Sequence, residues 1–495
     1  MATINQLSSV DTLADGDQFP LFSEAQGDAR KVSFETLKDA VADEFVGLDD
    51  LAAQTGAQLV GCNGGTTVQQ ELDALDTGKA NLSALAASSG SSLVGFVQSG
   101  TGATARTVQA KARDTVSATD FGAVGDGSTV NTTALQAAID AVAVAGGTVF
   151  LPAGAYVTGT LNLPSNVMLV GQGRFATRLV ATAGLNAPLI NRVGTISSVI
   201  NRGGVANLAI VGSGKANTGM IGIKNVYTNR GTFRDIDIFA CYRGMWIENV
   251  WQDALDNIHV HGGGADQNYM GFYFAPKAAV VGVSNAVIAK GCMAQGVEQW
   301  GFRIENGNGS KFTGCEASDG VHGWYIGDPS SGTETAEFMH FANCLGDTTS
   351  GHIWRIEKGG ATALRRMHFS NCWAGNSTGG SGVYVAGASE ITFTGWQVVL
   401  TELHGFHFNQ SSRCPLVGSN IRDWNRPAGA SNGVHLQDSL VIKVVGCEIS
   451  SATLGTGKGF VEVGTSDSNA LVASNSAAGW TILGGSTTQT GNTSL

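Results

Sequence analysis

The chain has 495 residues, with 69 glycines, only 8 prolines and a formal net charge of −11 at pH 7. A chain of this length is too long for one compact core, although a solenoid grows without that limit. The acidic balance and the lack of a basic run argue against nucleic acid as a partner. No apolar stretch approaches 18 residues, so we expect no insertion into a membrane.

The N-terminal residues 1–46 predict a small docking module. They mix short apolar stretches, such as Phe19-Pro-Leu-Phe, with an acidic amphipathic segment from Phe34 to Phe45 that we expect to be a helix. The opening residues, Met1-Ala-Thr-Ile-Asn-Gln, lack the basic and apolar regions of a signal peptide. We therefore expect synthesis and folding in a reducing cytoplasm.

Residues 47–112 contain an internal repeat. A Leu-Val-Gly element ending at Gly61 leads to Thr67-Val-Gln, and a second one ending at Gly95 leads to Thr107-Val-Gln, with an offset of 34 residues. Both copies are rich in small residues and too poor in apolar mass to form a core alone. We expect a linker that gains its core by association between chains, as a homotrimeric neck.

Residues 113–147 predict a helix at the entrance to a β-structure. Asn131 or Thr132 is suited to cap a helix, and Gly146-Gly147 ends it before the strand Thr148-Val-Phe-Leu. The apolar face of this helix is Ala134, Leu135, Ala138, Ile139 and Val142. Such a helix would cover the open end of a stacked β-structure, which otherwise exposes an apolar core.

Residues 148–495 carry a repeated glycine followed by an apolar-x-apolar triplet. Eleven glycines, one of them in a degenerate copy at Gly351, recur at a mean spacing of about 26 residues. Copies start at Gly222, Gly244, Gly271, Gly301, Gly323, Gly351, Gly382, Gly405, Gly433, Gly459 and Gly479. Each triplet alternates apolar and outward-facing residues as a strand does, and a second short strand precedes it in every repeat. Two strands fill the repeat of about 26 residues, so there is no room for a crossover helix. The pattern predicts an all-β, single-stranded parallel β-helix of about 12 coils; a β-propeller, which needs roughly 40 residues per blade, is the runner-up.

Four of the eight cysteines occupy equivalent places in their repeats: Cys315, Cys344, Cys372 and Cys447. We expect these cysteines to stack inside the coil as buried thiols rather than to form disulfides. No Cys/His spacing resembles a zinc site, and we expect neither a metal nor a cofactor.

The segment from Asp120 to Tyr156 resembles a known family. It opens Asp120-Phe-Gly-Ala-Val-Gly-Asp-Gly and closes Gly146-Gly-Thr-Val-Phe-Leu-Pro-Ala-Gly-Ala-Tyr, which is similar to the entry of the pectin-lyase-like right-handed β-helix. That family includes bacteriophage tailspikes, polygalacturonases and pectate lyases. The repeat that ends at Thr107-Val-Gln resembles the neck joining a virion anchor to such a β-helix. The resemblance implies a right-handed, homotrimeric tailspike of the virion tail, made in the host cytoplasm, with residues 1–46 docked to a tail protein. Asp120 and Asp126 are interpreted as turn and capping residues.

The middle residue of each triplet is expected to point outward, which defines a column of side chains on one face. Its candidate carbohydrate-binding members are Trp246, Tyr273, Arg303, Tyr325, Arg355, Tyr384 and His407; Lys224 and His435 extend the column. Aromatic faces stack on sugar rings, while arginine and histidine donate hydrogen bonds to hydroxyl and acidic groups. The alternative is a seam between subunits of a trimer, where aromatic and arginine residues are also favoured.

Three acids flank this column and are the candidate catalytic residues: Glu305, Asp328 and Glu357. Glu305 and Glu357 lie two positions beyond an outward residue, two coils apart, so their backbones should be roughly 9 to 10 Å apart. Flexing of the side chains would reach the separation of about 6.5–9.5 Å used by inverting glycosidases. Asp328 lies one residue past the matching place in the intervening coil.

These features predict a tailspike that binds, and cleaves by hydrolysis or by elimination, a bacterial capsule or O-antigen. The alternative is a non-enzymatic tail fibre or adaptor. A cellular pectinase is disfavoured by the missing signal peptide and by the phage-like neck.

Overall fold

The computed structural model describes residues 82–264, 267–276, 284–328, 335–359, 363–425, 429–452, 456–465 and 469–472, with short strands outside these ranges. The chain divides into two compact units, Met1–Asp114 and Thr115–Leu495. The predicted helix from Phe34 to Phe45 and the first copy of the neck repeat lie outside the described residues. None of the helices described has the length and apolar character of a membrane span.

Two antiparallel strand pairs lie among the described residues of the first unit. Gln18–Ser23 pairs with Asp28–Ser33, and Gly95–Phe96 pairs with Arg106–Thr107. The second pair lies in the second copy of the neck repeat, between a 3₁₀ turn at Gly90–Ser92 and a helix at Val108–Ala112. A further short helix is Leu82–Ala86. The Thr107 hydroxyl caps the helix at Val108 by accepting a 3.0 Å hydrogen bond from the Ala110 amide.

The second unit opens with the predicted capping helix, which runs over Thr132–Ala143 after a 3₁₀ turn at Ala118–Phe121. The predicted apolar face is confirmed: Leu135, Ala138, Ile139 and Val142 are buried, and Ala134 packs against the core. Asn131 occupies the cap position, but its side chain does not cap the helix. It instead accepts from the Val124 amide at 2.7 Å and donates to the Val124 carbonyl at 2.9 Å, which fixes the preceding turn.

Asp120 and Asp126 act in turns, as predicted. Asp120 accepts a hydrogen bond from the Ser117 amide at 3.1 Å. Asp126 accepts from the amides of Ser128 and Thr129, each at 2.8 Å. These backbone hydrogen bonds hold the pKa of Asp126 well below its usual range.

The rest of the second unit is a parallel β-helix whose coils each have three faces, which we call A, B and C in chain order. Face A consists of Val116–Ser117, Gly147–Leu151, Val167–Gly171, Ile288–Lys290, Lys311–Thr313, His340–Ala342, Ala363–Ser370, Ser389–Thr394, Leu416–Val417, Lys443–Val445, Ala470–Val472 and Thr488–Thr490. Face B consists of Asp126–Val130, Gly154–Thr158, Thr177–Ala181, Met293–Gln295, Glu316–Ser318, Leu345–Thr349, Trp373–Ser377, Gln397–Thr401, Asn420–Trp424, Glu448–Ser450, Asn475–Ser476 and Thr493–Ser494. Three long strands continue from face A into face B: Gly204–Val211, Thr232–Phe239 and Ala254–His261. The short strand Thr335–Glu337 precedes face A of its coil and pairs with the start of Ala363–Ser370.

Face C carries the glycine triplets. Its strands are Leu161–Asn162, Ile190–Val193, Ile221–Asn229, Arg243–Trp251, Met270–Phe274, Trp300–Ile304, His322–Asp328, Trp354–Gly359, Val383–Ala386, Phe406–Asn409, Val434–Gln437, Phe460–Val463 and Trp480–Ile482, with Ile200–Asn201 at its edge. Successive strands pair in parallel, each with its equivalent in the next coil. The parallel β-helix predicted from the repeat is therefore confirmed.

The repeated glycine is required because the chain turns from face B to face C against the core. A Cβ at Gly405 would lie 2.4 Å from Cγ2 of Ile421, and one at Gly433 would lie 2.5 Å from Cγ2 of Ile449. The same clash arises at Gly271, 2.8 Å from Cβ of Ala294. Real Cβ atoms do not approach this closely, so these three corners require glycine. In the coil of Trp354 the equivalent corner is occupied by the buried Ile353, because Trp354 pairs with Trp324, so Gly351 does not take the corner position that the sequence predicted.

One continuous apolar core fills the coils and contains the predicted cysteine ladder. Cys315, Cys344, Cys372 and Cys447 are buried free thiols, as expected, and Cys292 adds a rung before them. Stacked aromatic pairs run beside the ladder, including Phe302 on Trp324 with ring centroids 4.0 Å apart. Rings of successive coils stack face to face, and their edges contact rings of the neighbouring face, so aromatic packing links each coil to the next.

Candidate functional site

The predicted column on face C exists as a ladder in register. Strand pairing aligns Lys224, Trp246, Tyr273, Arg303, Tyr325, Arg355, Tyr384, His407 and His435, one residue per coil. We call these nine residues the outer ladder. Because parallel strands lie about 4.8 Å apart, neighbouring side chains of the ladder are in direct contact.

The outer ladder is held together by contacts between cations and aromatic rings. The guanidinium of Arg303 lies 5.4 Å from the Tyr273 ring centroid and 5.7 Å from that of Tyr325. The guanidinium of Arg355 lies 5.6 Å from the Tyr325 ring centroid, and the Trp246 and Tyr273 rings meet edge to face with centroids 5.1 Å apart. Each such contact contributes about 0.5–2 kcal/mol.

These contacts make the ladder less exposed than the sequence suggested. Tyr273 is 9% and Tyr325 only 4% exposed, whereas Trp246, Arg303 and Arg355 are half-buried. The sequence predicts which side of the strand a residue faces, but not how far its neighbours cover it. Burial raises the pKa of the Tyr325 hydroxyl, as does the nearby Glu357 carboxylate, so this phenol stays protonated at neutral pH.

Glu305 and Glu357 each form an ion pair with the outer-ladder residue two positions earlier in the same strand. Arg303 forms an ion pair with Glu305 through both its Nε and a terminal nitrogen, and Arg355 donates from Nε to Glu357 at 2.7 Å. The same spacing recurs where Trp246 Nε1 donates to Glu248 at 3.0 Å. Alternation along a strand places residues i and i+2 on one face, so each pair forms within its own coil.

Glu305 is not the exposed acid that the sequence suggested. It is 1% exposed and accepts a 3.2 Å hydrogen bond from the Tyr273 hydroxyl in addition to its ion pair with Arg303. Glu357 is the more accessible of the two, with its side chain 24% exposed. A buried carboxylate is tolerated because its charge is compensated by the adjacent guanidinium.

The coil between the two glutamates carries Gly327 at the matching position, so no side chain separates them there. The strand pairing shifts between Ile326 and Asp328, which displaces Asp328 from the column and aligns it with Gly359. The Asp328 backbone therefore pairs two residues beyond Glu357, and its side chain lies outside the described structure.

Sequence reasoning missed a second row on face C, formed by residues just before the triplet glycines. Tyr242 and Tyr269 stack with centroids 4.5 Å apart, and Arg243 lies 4.7 Å from both the Tyr242 and Trp246 rings. Trp300 lies 4.6 Å from the guanidinium of Arg303. The signal was present in the sequence, as aromatic or basic residues directly preceding several triplet glycines.

Several buried polar atoms of face C have no hydrogen-bond partner among the described residues. They are the Tyr325 hydroxyl, Trp300 Nε1, Arg243 Nε and His407 Nε2. Buried polar groups are normally paired, and each one left unpaired is unfavourable by about 1–3 kcal/mol.

The far end of face C is rich in histidine. His404 stacks on His435 at 4.4 Å between centroids and meets His407 edge to face at 4.8 Å, while His352 stacks on Tyr384 at 4.8 Å. His404 Nδ1 accepts from the Asn432 amide at 2.8 Å, which requires the neutral tautomer. Burial lowers the pKa of His404 to about 2 and that of His352 to about 4. Within the described residues, no group of His, Cys, Asp and Glu is arranged to hold a metal ion.

Two family models match the second unit. Residues 115–238 match the model described as rhamnogalacturonase A/epimerase, pectate lyase-like, and residues 300–477 match the right-handed β-helix region. The fold and these matches define a right-handed parallel β-helix protein. The match of residues 115–238 to a pectate lyase-like model confirms the resemblance inferred from the residues around Asp120.

Curated relatives match short segments of the chain. Mannuronan C5-epimerase AlgE3 of Azotobacter vinelandii is 52% identical over 63 residues, which are 11% of this chain and 3% of the epimerase. The tail spike protein of Shigella phage Sf6 is 38% identical over 108 residues, which are 20% of this chain and 17% of that protein. The chain therefore aligns with only a small part of either relative.

Solved structures share the fold over most of the chain. Tailspike protein 3 of bacteriophage CBA120 superposes with a TM-score of 0.67 at 15% identity, covering 86% of this chain and 69% of that one. The A-module of mannuronan C-5 epimerase AlgE6 of Azotobacter vinelandii gives a TM-score of 0.57 at 18% identity, covering 77% of this chain and 99% of the module. At these identities, the likeness concerns the fold.

Proposed function

We propose that the protein is a phage tailspike that binds a bacterial surface polysaccharide along face C and hydrolyses it there. The observation that carries this proposal is the outer ladder, in which aromatic and cationic side chains repeat in register at about 4.8 Å and flank two glutamates. The similarity of short segments to a tail spike protein and to a mannuronan C5-epimerase supports a polysaccharide as the ligand.

Binding follows from the chemistry of the ladder. Trp246 and the stacked Tyr242 and Tyr269 offer rings for stacking against the apolar faces of sugars. Half-buried Arg303 and Arg355 retain donors for hydroxyl or acidic substituents. A row with one such group per coil fits a linear chain that runs along the axis of the β-helix.

Hydrolysis is assigned to Glu305 and Glu357, two coils apart at roughly 9 to 10 Å between backbones. In the inverting mechanism, one carboxyl group protonates the glycosidic oxygen while the other, as carboxylate, removes a proton from the attacking water. Glu305 suits the second role because Arg303 and Tyr273 both donate to its carboxylate. Glu357 is more exposed and suits the acid, provided that Arg355 turns away from it when substrate binds.

The same ion pairs favour a second candidate, a tail fibre or adaptor that binds glycan without cleaving it. Both glutamates are already paired with arginine, as expected of groups that only shape a binding surface. In this alternative the outer ladder keeps its binding role and the acids lose their catalytic one.

We also propose that the protein is a homotrimer attached to the virion tail through residues 1–46. In the described second copy of the neck repeat, Leu93 is 60%, Val94 44% and Val97 61% exposed. Apolar side chains clustered in so short a segment favour burial between chains. Light scattering should give a mass near three times the 50.9 kDa of one chain.

The test is incubation of the purified protein with capsular and O-antigen polysaccharides of candidate hosts. Release of oligosaccharides with new reducing ends, free of the ultraviolet absorbance of an unsaturated sugar, supports hydrolysis. Release of unsaturated products supports a lyase instead. Binding without any release establishes the non-enzymatic candidate and overturns the assignment of Glu305 and Glu357.

A further inference from the structure

We infer that face B carries a separate binding site for a sugar acid, recognised by its carboxylate and an adjacent hydroxyl group. The site is a cavity of about 310 Å³ lined by Arg174, Phe175, Arg178, Ala209, Asp237 and His261, together with Val211 and Phe239. It lies on a different face of the coils from the outer ladder and shares no residue with it.

The cavity exists because one rung of face B has a small side chain. Strand pairing aligns Arg178, Ala209, Asp237 and His259 in consecutive coils. Ala209 contributes only a methyl group, which leaves a notch between Arg178 and Asp237, two rungs or roughly 10 Å apart. Arg174 and Phe175, from the turn before the Arg178 strand, line the same notch.

Asp237 is the polar centre of the cavity and is incompletely paired. It is 3% exposed, and its buried Oδ1 has no hydrogen-bond partner among the described residues. The nearest cationic or imidazole nitrogens are Arg174 at 3.5 Å, His261 at 3.6 Å and His259 at 3.8 Å. Charge-assisted hydrogen bonds are about 2.7–2.9 Å long, so these contacts are too long to satisfy the carboxylate. A ligand hydroxyl would supply the missing donor.

The charges around the notch indicate a single negative charge on the ligand. Arg174, Arg178 and Asp237 sum to a formal charge of +1, and Arg178 forms no ion pair within the described part of the chain. One carboxylate neutralises this excess, whereas a phosphate dianion would reverse it. Planar guanidinium groups also match the two oxygens of a carboxylate.

The walls of the cavity suit a sugar ring. Phe175 is 84% exposed beside the opening, an uncommon position for a large apolar side chain, and the Arg174 guanidinium lies 5.0 Å from its ring centroid. Phe239 and His261 pack edge to face at 4.3 Å on another side. An aromatic face next to paired donors and one acceptor is the arrangement that a carboxylate-bearing pyranose requires.

Titration of the full-length protein with sodium glucuronate, followed by calorimetry, tests the proposal. We expect saturable binding that is at least tenfold weaker for glucose, which lacks the carboxylate, and for glucose 6-phosphate, which carries a dianion. Arg178→Gln and the cavity-filling Ala209→Leu should each weaken glucuronate binding at least tenfold. Arg234→Gln, which removes an exposed arginine of face A, is the matched control and should change binding less than twofold.

Equal binding of glucuronate and glucose 6-phosphate, or an equal effect of Arg234→Gln and Arg178→Gln, would show nonspecific attraction and overturn the proposal. So would the absence of binding in the folded protein. The measurement uses no polysaccharide cleavage and leaves face C unchanged, so its failure is distinct from failure of the proposed function.

Discussion

Arg303 forms an ion pair with Glu305, two residues further along the same strand, and thereby compensates a carboxylate that is only 1% exposed. The pair lies at the centre of the outer ladder, between Tyr273 and Tyr325. The Arg303 guanidinium therefore combines an ion pair with cation–aromatic contacts to the coils on either side.

Trp246→Ala should weaken binding of an oligosaccharide of the host polysaccharide about tenfold, because it removes the stacking surface at one end of the ladder. Affinity measured by calorimetry checks this. Phe338→Ala removes a 50% exposed ring from outside face C and is the control. Equal losses in both variants would show that the ladder is not the binding surface.

Gly405→Ala should destabilise the β-helix by about 1–3 kcal/mol, because its Cβ would overlap Cγ2 of Ile421 at 2.4 Å. Gly263→Ala is the control, since a Cβ there meets nothing within 4 Å, and it should change stability by less than about 0.5 kcal/mol. Urea unfolding of the three proteins checks both values. Similar stabilities would mean that the corner accommodates a side chain.

Acidification should destabilise the histidine-rich end of face C before it destabilises the rest of the β-helix. Burial lowers the pKa of His352 to about 4, below the value of about 6.5 expected in the unfolded chain. A lowered pKa leaves stability unaffected above pH 6.5 and reduces it as the pH falls from 6.5 toward 4, by about 2 kcal/mol for His352 at pH 5. His404, with an even lower pKa, acts in the same direction.

Hydrogen exchange at pH 8 and pH 5, corrected for the intrinsic exchange rate, measures this effect region by region. Peptides covering residues 404–437 should lose protection at pH 5, whereas those covering residues 147–181, which contain no histidine, should keep it. Uniform loss along the chain would point to a cause other than the histidines.

The thiols of the second unit should be unreactive in the folded protein. Cys241, Cys292, Cys315, Cys344, Cys372, Cys414 and Cys447 are buried, and burial raises the pKa of Cys414 to about 12. Of the eight cysteines, only Cys62 lies outside this set. Titration with a thiol reagent should therefore modify at most one cysteine per chain before unfolding and eight after it. Rapid modification of several native thiols would contradict their burial.

The register of the outer ladder is predictable from sequence because the triplet alternates and a glycine precedes it at the same corner in most of its coils, although Ile353 occupies that corner in one of them. The burial of Tyr325 and Glu305 is not predictable in this way, because it depends on guanidinium groups contributed by neighbouring positions. The face B cavity is less predictable still. Arg178, Ala209 and Asp237 are separated by about 30 residues each and carry no shared motif, so only the pairing of three coils brings them together.

We propose that Glu305 and Glu357 cleave the glycan bound to face C, and the rates of reducing-end release by Glu305→Gln and Glu357→Gln decide whether they do. Glu337→Gln is the matched control, because Glu337 is also buried and paired with an arginine, Arg365 at 3.1 Å, but lies outside face C. Each active-site variant should lose at least a hundredfold in rate while remaining folded and still binding glycan, and Glu337→Gln should stay within threefold of the unmodified protein. Cleavage by either active-site variant at the rate of the Glu337→Gln control would contradict the assignment.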